Sequence, residues 1–164
     1  VKAIIILPLV LAIGFAGMAQ TGKPKSKTIY NNKLLALATR ELSVKNLRQQ
    51  YRQNLSIKKV SVNQHDSSVK DTLLVANTGT DNLQIFTNEY NSFLVSAHFK
   101  SSRISFGNGI KMGASQVSFC KAYGLSPGFD IYQIIETPEG GFDISFRFSQ
   151  GKLSEVIYTV NHFD

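Results

Sequence analysis

Phe142-Asp143-Ile144-Ser145-Phe146-Arg147-Phe148-Ser149 alternates large apolar and polar side chains without a break. Successive side chains of a strand point to opposite faces, so this period of two predicts a strand with one face in a core and one face wet. A sheet covered on one side only is characteristically antiparallel. Pro138-Glu139-Gly140-Gly141 on one flank and Gln150-Gly151 on the other are turn sequences. They join this strand to two more, over 129–137 and 153–160.

The cover for the apolar face lies just upstream. Residues 116–123 read as a short helix with Ser115 as N-cap and Gly124 as the glycine past its end. Ser118 occupies the third helical position, so the capping box is incomplete. Phe119, Cys120 and Tyr123 share one face of this helix and are expected against Phe146.

Further upstream the period is again two. Residues 72–76 and 83–87 flank the turn-rich Asn77-Thr78-Gly79-Thr80-Asp81-Asn82, and 91–99 and 103–106 are two more strand candidates, ended by Gly107-Asn108-Gly109. Before residue 56 the pattern is helical. Val44, Leu47, Tyr51 and Leu55 are spaced 3, 4 and 4 apart, one stripe of an amphipathic helix over 44–55 capped by Ser43. A second helical segment is expected over 33–42. The fold class is therefore α+β: an antiparallel sheet with a short helix layer packed on one face, plus an N-terminal amphipathic helix. Residues 33–164 are expected to form a single α+β domain.

Two segments precede it. Residues 20–32 include Gly22, Pro24 and Lys23, Lys25 and Lys27, and too few apolar residues to offset ordering entropy, so a flexible basic tail is expected. Residues 1–19 combine Lys2, an apolar run over 3–16 too short to span a bilayer, and small residues Gly17 and Ala19. That is the pattern of a secretory signal peptide cut before Gln20. The cut position carries no lipidation cysteine. An exported, soluble protein, periplasmic or extracellular, follows as the expectation, away from ATP, nicotinamide cofactors and nucleic acid. No cofactor and no nucleic-acid partner are expected.

Cutting 19 of the 164 residues leaves 145, enough to bury about 68–70% of the unfolded surface. Cys120 is the sole cysteine, so no internal disulfide can form, and its aromatic neighbours mark it as a small buried hydrophobe. The net charge of +7 is unevenly spread: residues 20–60 hold ten Lys/Arg and one acid, whereas 61–164 hold seven Lys/Arg and ten acids. Lys45, Arg48 and Arg52 lie off the apolar stripe of the 44–55 helix at spacings of 3 and 4. Their mutual repulsion, about 0.2–0.5 kcal/mol per pair, would be relieved by an anionic membrane surface or an acidic partner. They are the candidate binding residues; the alternative is a solvated face.

Catalytic motifs fail on inspection. Gly124-Leu125-Ser126-Pro127-Gly128 matches a nucleophile elbow, but Pro127 has no N–H for the oxyanion hole and the order is helix then strand. Gly107, Gly109 and Gly113 miss the dinucleotide spacing and are better explained as turn positions with φ > 0. His65, His98 and His162 have no metal-ligand spacing. His65-Asp66 reads as a solvated loop, and Asp143 and Glu155 as surface carboxylates on neighbouring strands.

Residues 110–160 resemble a known pattern. Ile110-Lys111-Met112-Gly113-Ala114-Ser115 leads into a helix with Phe119 and Tyr123-Gly124, then Pro127, and strands ending in Ile144-Ser145-Phe146-Arg147-Phe148-Ser149-Gln150-Gly151-Lys152-Leu153. This is similar to the β-lactamase-inhibitor-protein-like superfamily, which includes small exported envelope proteins of the SmpA/OmlA type. The resemblance implies helices on an antiparallel sheet used for protein contact and not for catalysis. The expected function is thus that of an exported, non-catalytic binding protein of the bacterial envelope, with a protein or envelope component as partner. The alternatives are a small secreted hydrolase and a membrane-surface protein held by the basic segment.

Overall fold

The computed structural model describes residues 23–137 and 140–160. The expected signal segment 1–19, its cleavage point, Pro138-Glu139 and His162 lie outside the described residues. In chain order the elements are β1 (Ser26–Tyr30), α1 (Asn32–Thr39), α2 (Val44–Gln50), β2 (Leu55–Val62), β3 (Lys70–Asn77), β4 (Asn82–Thr87), β5 (Ser92–Phe99), α3 (Gln116–Tyr123), β6 (Ile131–Thr137), β7 (Gly140–Ser149) and β8 (Lys152–Val160). One eight-stranded sheet runs in the order β1-β6-β7-β8-β5-β4-β3-β2. The class is α+β, weighted toward strand.

The sheet is mixed, which corrects the antiparallel expectation. β1 lies parallel to β6, pairing Ser26 with Ile131 through Tyr30 with Ile135; the remaining ladders are antiparallel. Residues 26–30 are therefore a strand and not part of a flexible tail. The Lys25 carbonyl accepts the N–H groups of Asp130 (2.8 Å) and Ile131 (3.1 Å), and the Lys25 N–H donates to Asp130 Oδ2 at 2.8 Å. Lys27 places its ammonium 5.5 Å from the Phe129 ring centre, so even a cation in this segment has an aromatic seat.

Ile144, Phe146 and Phe148 are buried as the alternation requires, Phe142 is only partly buried, and α3 covers Phe146 and Phe148. Ser115 caps α3 by accepting the Ser118 N–H at 3.1 Å, and Gly124 ends it at φ 65°. The Phe119 ring lies 4.9 Å from Phe146, 5.1 Å from Phe148 and 5.3 Å from Tyr132. From Phe146 the contacts continue through Phe106 (5.6 Å) and Phe99 (5.8 Å) to Tyr51 (6.4 Å). The opposite side of β7 is less wet than expected. Arg147 and Ser149 are exposed, but Asp143 is buried and accepts from Gln133 Nε2 at 3.2 Å.

Three further differences have physical causes. The 44–55 helix stops at Gln50: the Leu55 N–H bonds the Tyr51 carbonyl, and Leu55 then pairs with Ala76 at the start of β2. Pairing in the sheet overrides the helical spacing of Leu55. Residues 103–106 form no strand; Ile104 and Phe106 are buried in an irregular loop with only an isolated Phe106–Ile110 bridge. Gly107 has no positive φ, unlike Gly109 (74°) and Gly113 (83°). A Cβ there would collide with the Leu37 carbonyl of α1, so close backbone approach is what demands glycine.

Asp81 ties the β3–β4 turn to the end of α2 and to the segment after β5. It accepts the N–H groups of Lys100 and Ser101, each at 2.8 Å, the Tyr51 hydroxyl at 2.7 Å, and the Ser101 hydroxyl. Burial pushes its carboxyl up, but these donors, Ser101 first, outweigh burial and hold it below the usual carboxylate range. The same burial and the adjoining carboxylate push the Tyr51 phenol up.

Phe146→Ala should cost about 3–5 kcal/mol in chemical denaturation, because the rings around it leave a cavity. Arg147→Ala, on the other face, should cost no more than about 1 kcal/mol. For Asp81, a folded pKa below the unfolded 3.8 means its stabilisation is present above that pH and is lost as pH falls through the folded value. Asp81→Asn should cost about 1–3 kcal/mol at neutral pH, and the gap to wild type should close on acidification below about pH 4.

Candidate functional site

β2 is one of the two edge strands, opposite β1, and its composition sets the character of its corner of the sheet. Among the described residues no strand pairs with its outer side. Ile57, Val60 and Val62 are 65, 51 and 60% exposed, and Lys58 and Lys59 stand between them. The ladder alternation determines which backbone groups face outward. The Asn63 N–H bonds the Val69 carbonyl at 3.0 Å, so positions 61 and 59 are the bonded ones toward β3. Val60 and Val62 therefore direct their N–H and C=O groups away from the sheet. A bulge between Ile57 and Lys59 breaks the period of two at this point.

Beside this edge a cavity of about 400 Å³ opens on the side of the sheet opposite the helices. Its floor is Leu73 of β3 and Phe86 of β4, which are direct cross-strand partners, with Lys59 opposite Leu73 on β2. The Phe86 ring packs 5.0 Å from Phe93. The rim is polar: Ser61, Asp71, Asn63, Gln64 and His65. Asp71 is fixed by two amides, accepting from Asn63 Nδ2 at 3.0 and 3.1 Å and from Asn88 Nδ2 at 2.9 Å. Asn63 is fixed in turn, its Oδ1 accepting the N–H groups of His65 (2.8 Å) and Asp66 (3.1 Å). Asp66 is exposed, and hydrogen bonds from the Ser68 hydroxyl and N–H hold its carboxyl below the usual range.

Glu155 anchors a charge network farther along the same face. His98 Nε2 bonds it, Arg147 Nη1 lies 3.1 Å away and Lys100 Nζ 3.4 Å. Burial raises its carboxyl, but His98 first, then Arg147 and Lys100, hold it below the carboxylate range. Asp143 and Glu155 do lie on neighbouring strands, yet Asp143 pairs with Thr159 and Glu155 with Arg147. Four residues along a strand separate the two rungs by about 13 Å. The two carboxylates do not share a site.

The other residues singled out in the sequence scatter. Lys45 and Arg48 are exposed on α2; Arg52 is exposed in the turn after it, off the helix that was expected to carry all three. Ser126 sits in an exposed turn after α3, where its carbonyl accepts the Tyr132 hydroxyl at 2.9 Å. Cys120 is buried, its thiol donating to Tyr132 Oη at 3.3 Å. His65 is exposed on the cavity rim, well apart in the fold from the His98–Glu155 network. The Asp71–Asn63 pair escaped the sequence reading; the only local signal was the turn composition of Asn63-Gln64-His65-Asp66.

Comparison of the chain with family models, with curated proteins and with solved structures gives no match. Among the described residues no helix is long and apolar enough to cross a membrane.

Asn63→Ala removes the amide donor to Asp71 and the acceptor of two loop N–H groups. It should cost about 1–2 kcal/mol and speed hydrogen exchange of the His65 and Asp66 amides, with the Asp81 region unchanged.

Proposed function

We propose that this chain is an exported, non-catalytic binding protein of the bacterial envelope that takes up an extended, acidic segment of a partner protein along β2. The observation that carries the reading is the outer side of β2, which no strand pairs with among the described residues, with apolar side chains on the surface and backbone groups directed outward. Main-chain hydrogen bonds to Val60 and Val62 would supply affinity. Ile57, Val60 and Val62 would supply apolar contact on one side of the added strand. Lys58 and Lys59 would select for acid, and Lys45 and Arg48 of α2 and Arg52 of the turn after it carry the same sign just upstream in the chain.

Charge argues against a second copy as the occupant. Antiparallel pairing about the middle of β2 would set Lys58 and Lys59 of one copy against Lys59 and Lys58 of the other. The export pattern of residues 1–19 supports the envelope setting, and the resemblance over 110–160 supports a partner-binding role. The same basic residues also fit a membrane-surface reading, but that reading assigns nothing to the edge of β2.

Selection of displayed random peptides on the purified protein should enrich β-branched sequences with interspersed Asp and Glu. Val60→Pro deletes one outward N–H without touching the ladder to β3. It should abolish capture of a selected peptide while moving the melting temperature by no more than a few degrees. Enrichment without acids, or binding that survives both Val60→Pro and Lys58→Glu/Lys59→Glu, would overturn the proposal.

A further inference from the structure

Apart from Lys59, the residues lining the cavity beside β2 are ones that the strand-addition reading does not use. Its volume of about 400 Å³ falls within the range of small-molecule sites. Apolar floor and polar rim are segregated: Leu73 and Phe86 lie on adjacent strands in one register, and hydrogen-bonding groups stand around them. An apolar drug-like ligand would strand the rim groups, and a wholly polar one would leave the floor wet.

We infer that this cavity binds a neutral, polyhydroxylated ring of the saccharide class. A sugar ring presents a face of C–H bonds that packs on an aromatic surface, and its edge carries hydroxyl groups that both donate and accept. Phe86 and Leu73 form the surface for that face. Asp71 supplies the acceptor. An ionised carboxylate has about four lone-pair sites, and the two asparagine amides that orient it leave capacity for a ligand hydroxyl. Ser61, Gln64, His65 and Lys59 supply rim donors for hydroxyls in the accepting role.

The charges select for neutrality. Lys59 and Asp71 occupy the same rim, so a carboxylate or phosphate that gains from Lys59 meets Asp71, and an amine that gains from Asp71 meets Lys59. The orienting groups are also preorganised. Asn63 is held by two backbone N–H groups before any ligand arrives, so little ordering entropy remains to be lost on binding.

The test is heteronuclear NMR titration of the isotope-labelled full chain with a panel of neutral hexoses and their disaccharides. A hexuronic acid and a hexosamine serve as charged counterparts. At least one neutral sugar should shift amides confined to residues 59–73 and 84–88, with the charged counterparts at least tenfold weaker. Asp71→Asn and Phe86→Leu should each weaken binding tenfold or more; Phe86→Leu keeps an apolar side chain in place, and a dispersed spectrum shows the variant folded. Absence of shifts with every neutral sugar, shifts centred elsewhere, preference for a charged counterpart, or unchanged affinity in folded Phe86→Leu would each overturn the inference. Because Val60→Pro leaves the cavity lining intact, sugar binding should persist in that variant. The saccharide site and the peptide edge can therefore fail independently.

Discussion

The seating of Phe119 on Phe146 is the contact from which the rest of the structure follows. Phe146 comes from the most regularly alternating strand, and Phe119 from a helix of only eight residues. A helix that short has little stability of its own, so its packed face must hold it. The ring-to-ring distances around Phe119, 4.7 to 5.3 Å to four neighbours, give it that hold. The α3 end is also tied by backbone: the Gln116 N–H donates to the Gly151 carbonyl at 2.8 Å, and the Gly113 N–H to the Leu153 carbonyl at 2.8 Å. The β7–β8 hairpin and α3 thus brace each other. The chain of rings through Phe106 and Phe99 extends the brace to Tyr51 and α2.

This arrangement uses up one face of the sheet near its middle and leaves the β2 corner outside the helix layer. Val60 and Val62 belong to the helix side by register, opposite Thr72 and Lys70, yet both are exposed. On the other face, the Glu155 network fixes charges above β8 and β5, whereas the Phe86–Leu73 strip remains half-exposed beneath the β2–β3 loop. The two proposed binding surfaces are consequently peripheral. They sit where the sheet outruns its cover, and not above the aromatic brace.

How much of this was legible depends on whether local pattern or distant pairing decides each element. β7 and α3 announce themselves because alternation, a serine cap and a terminal glycine act within a few residues. β1 does not, since a parallel strand is specified by β6, and Ile29 alone among its neighbours offers an apolar side chain to Ile134. The end of α2 was misread because Leu55 satisfies a helical spacing and a strand start equally well. Gly107 was misread because a close approach to Leu37 leaves no trace in its neighbours. The candidate site was hidden by the bulge in β2: Ile57, Val60 and Val62 fail to alternate, although all three belong to one side. Asp71 carries no local signal in the sequence, because its partners Asn63 and Asn88 reach it only through the fold.

The lysines in β2 and the bulge between them bear on why an exposed apolar edge is tolerated. A long flat edge with three exposed aliphatic side chains invites indiscriminate strand pairing. Two adjacent cations near its middle penalise pairing with a like-charged strand, above all with another copy of itself, and the bulge restricts the registers open to any strand. Neither device blocks an acidic strand in the register that the bulge permits. The features that disfavour self-pairing of the edge are thus the same ones that would give it a partner preference, and on the proposed reading specificity would come from what the edge repels as much as from what it attracts.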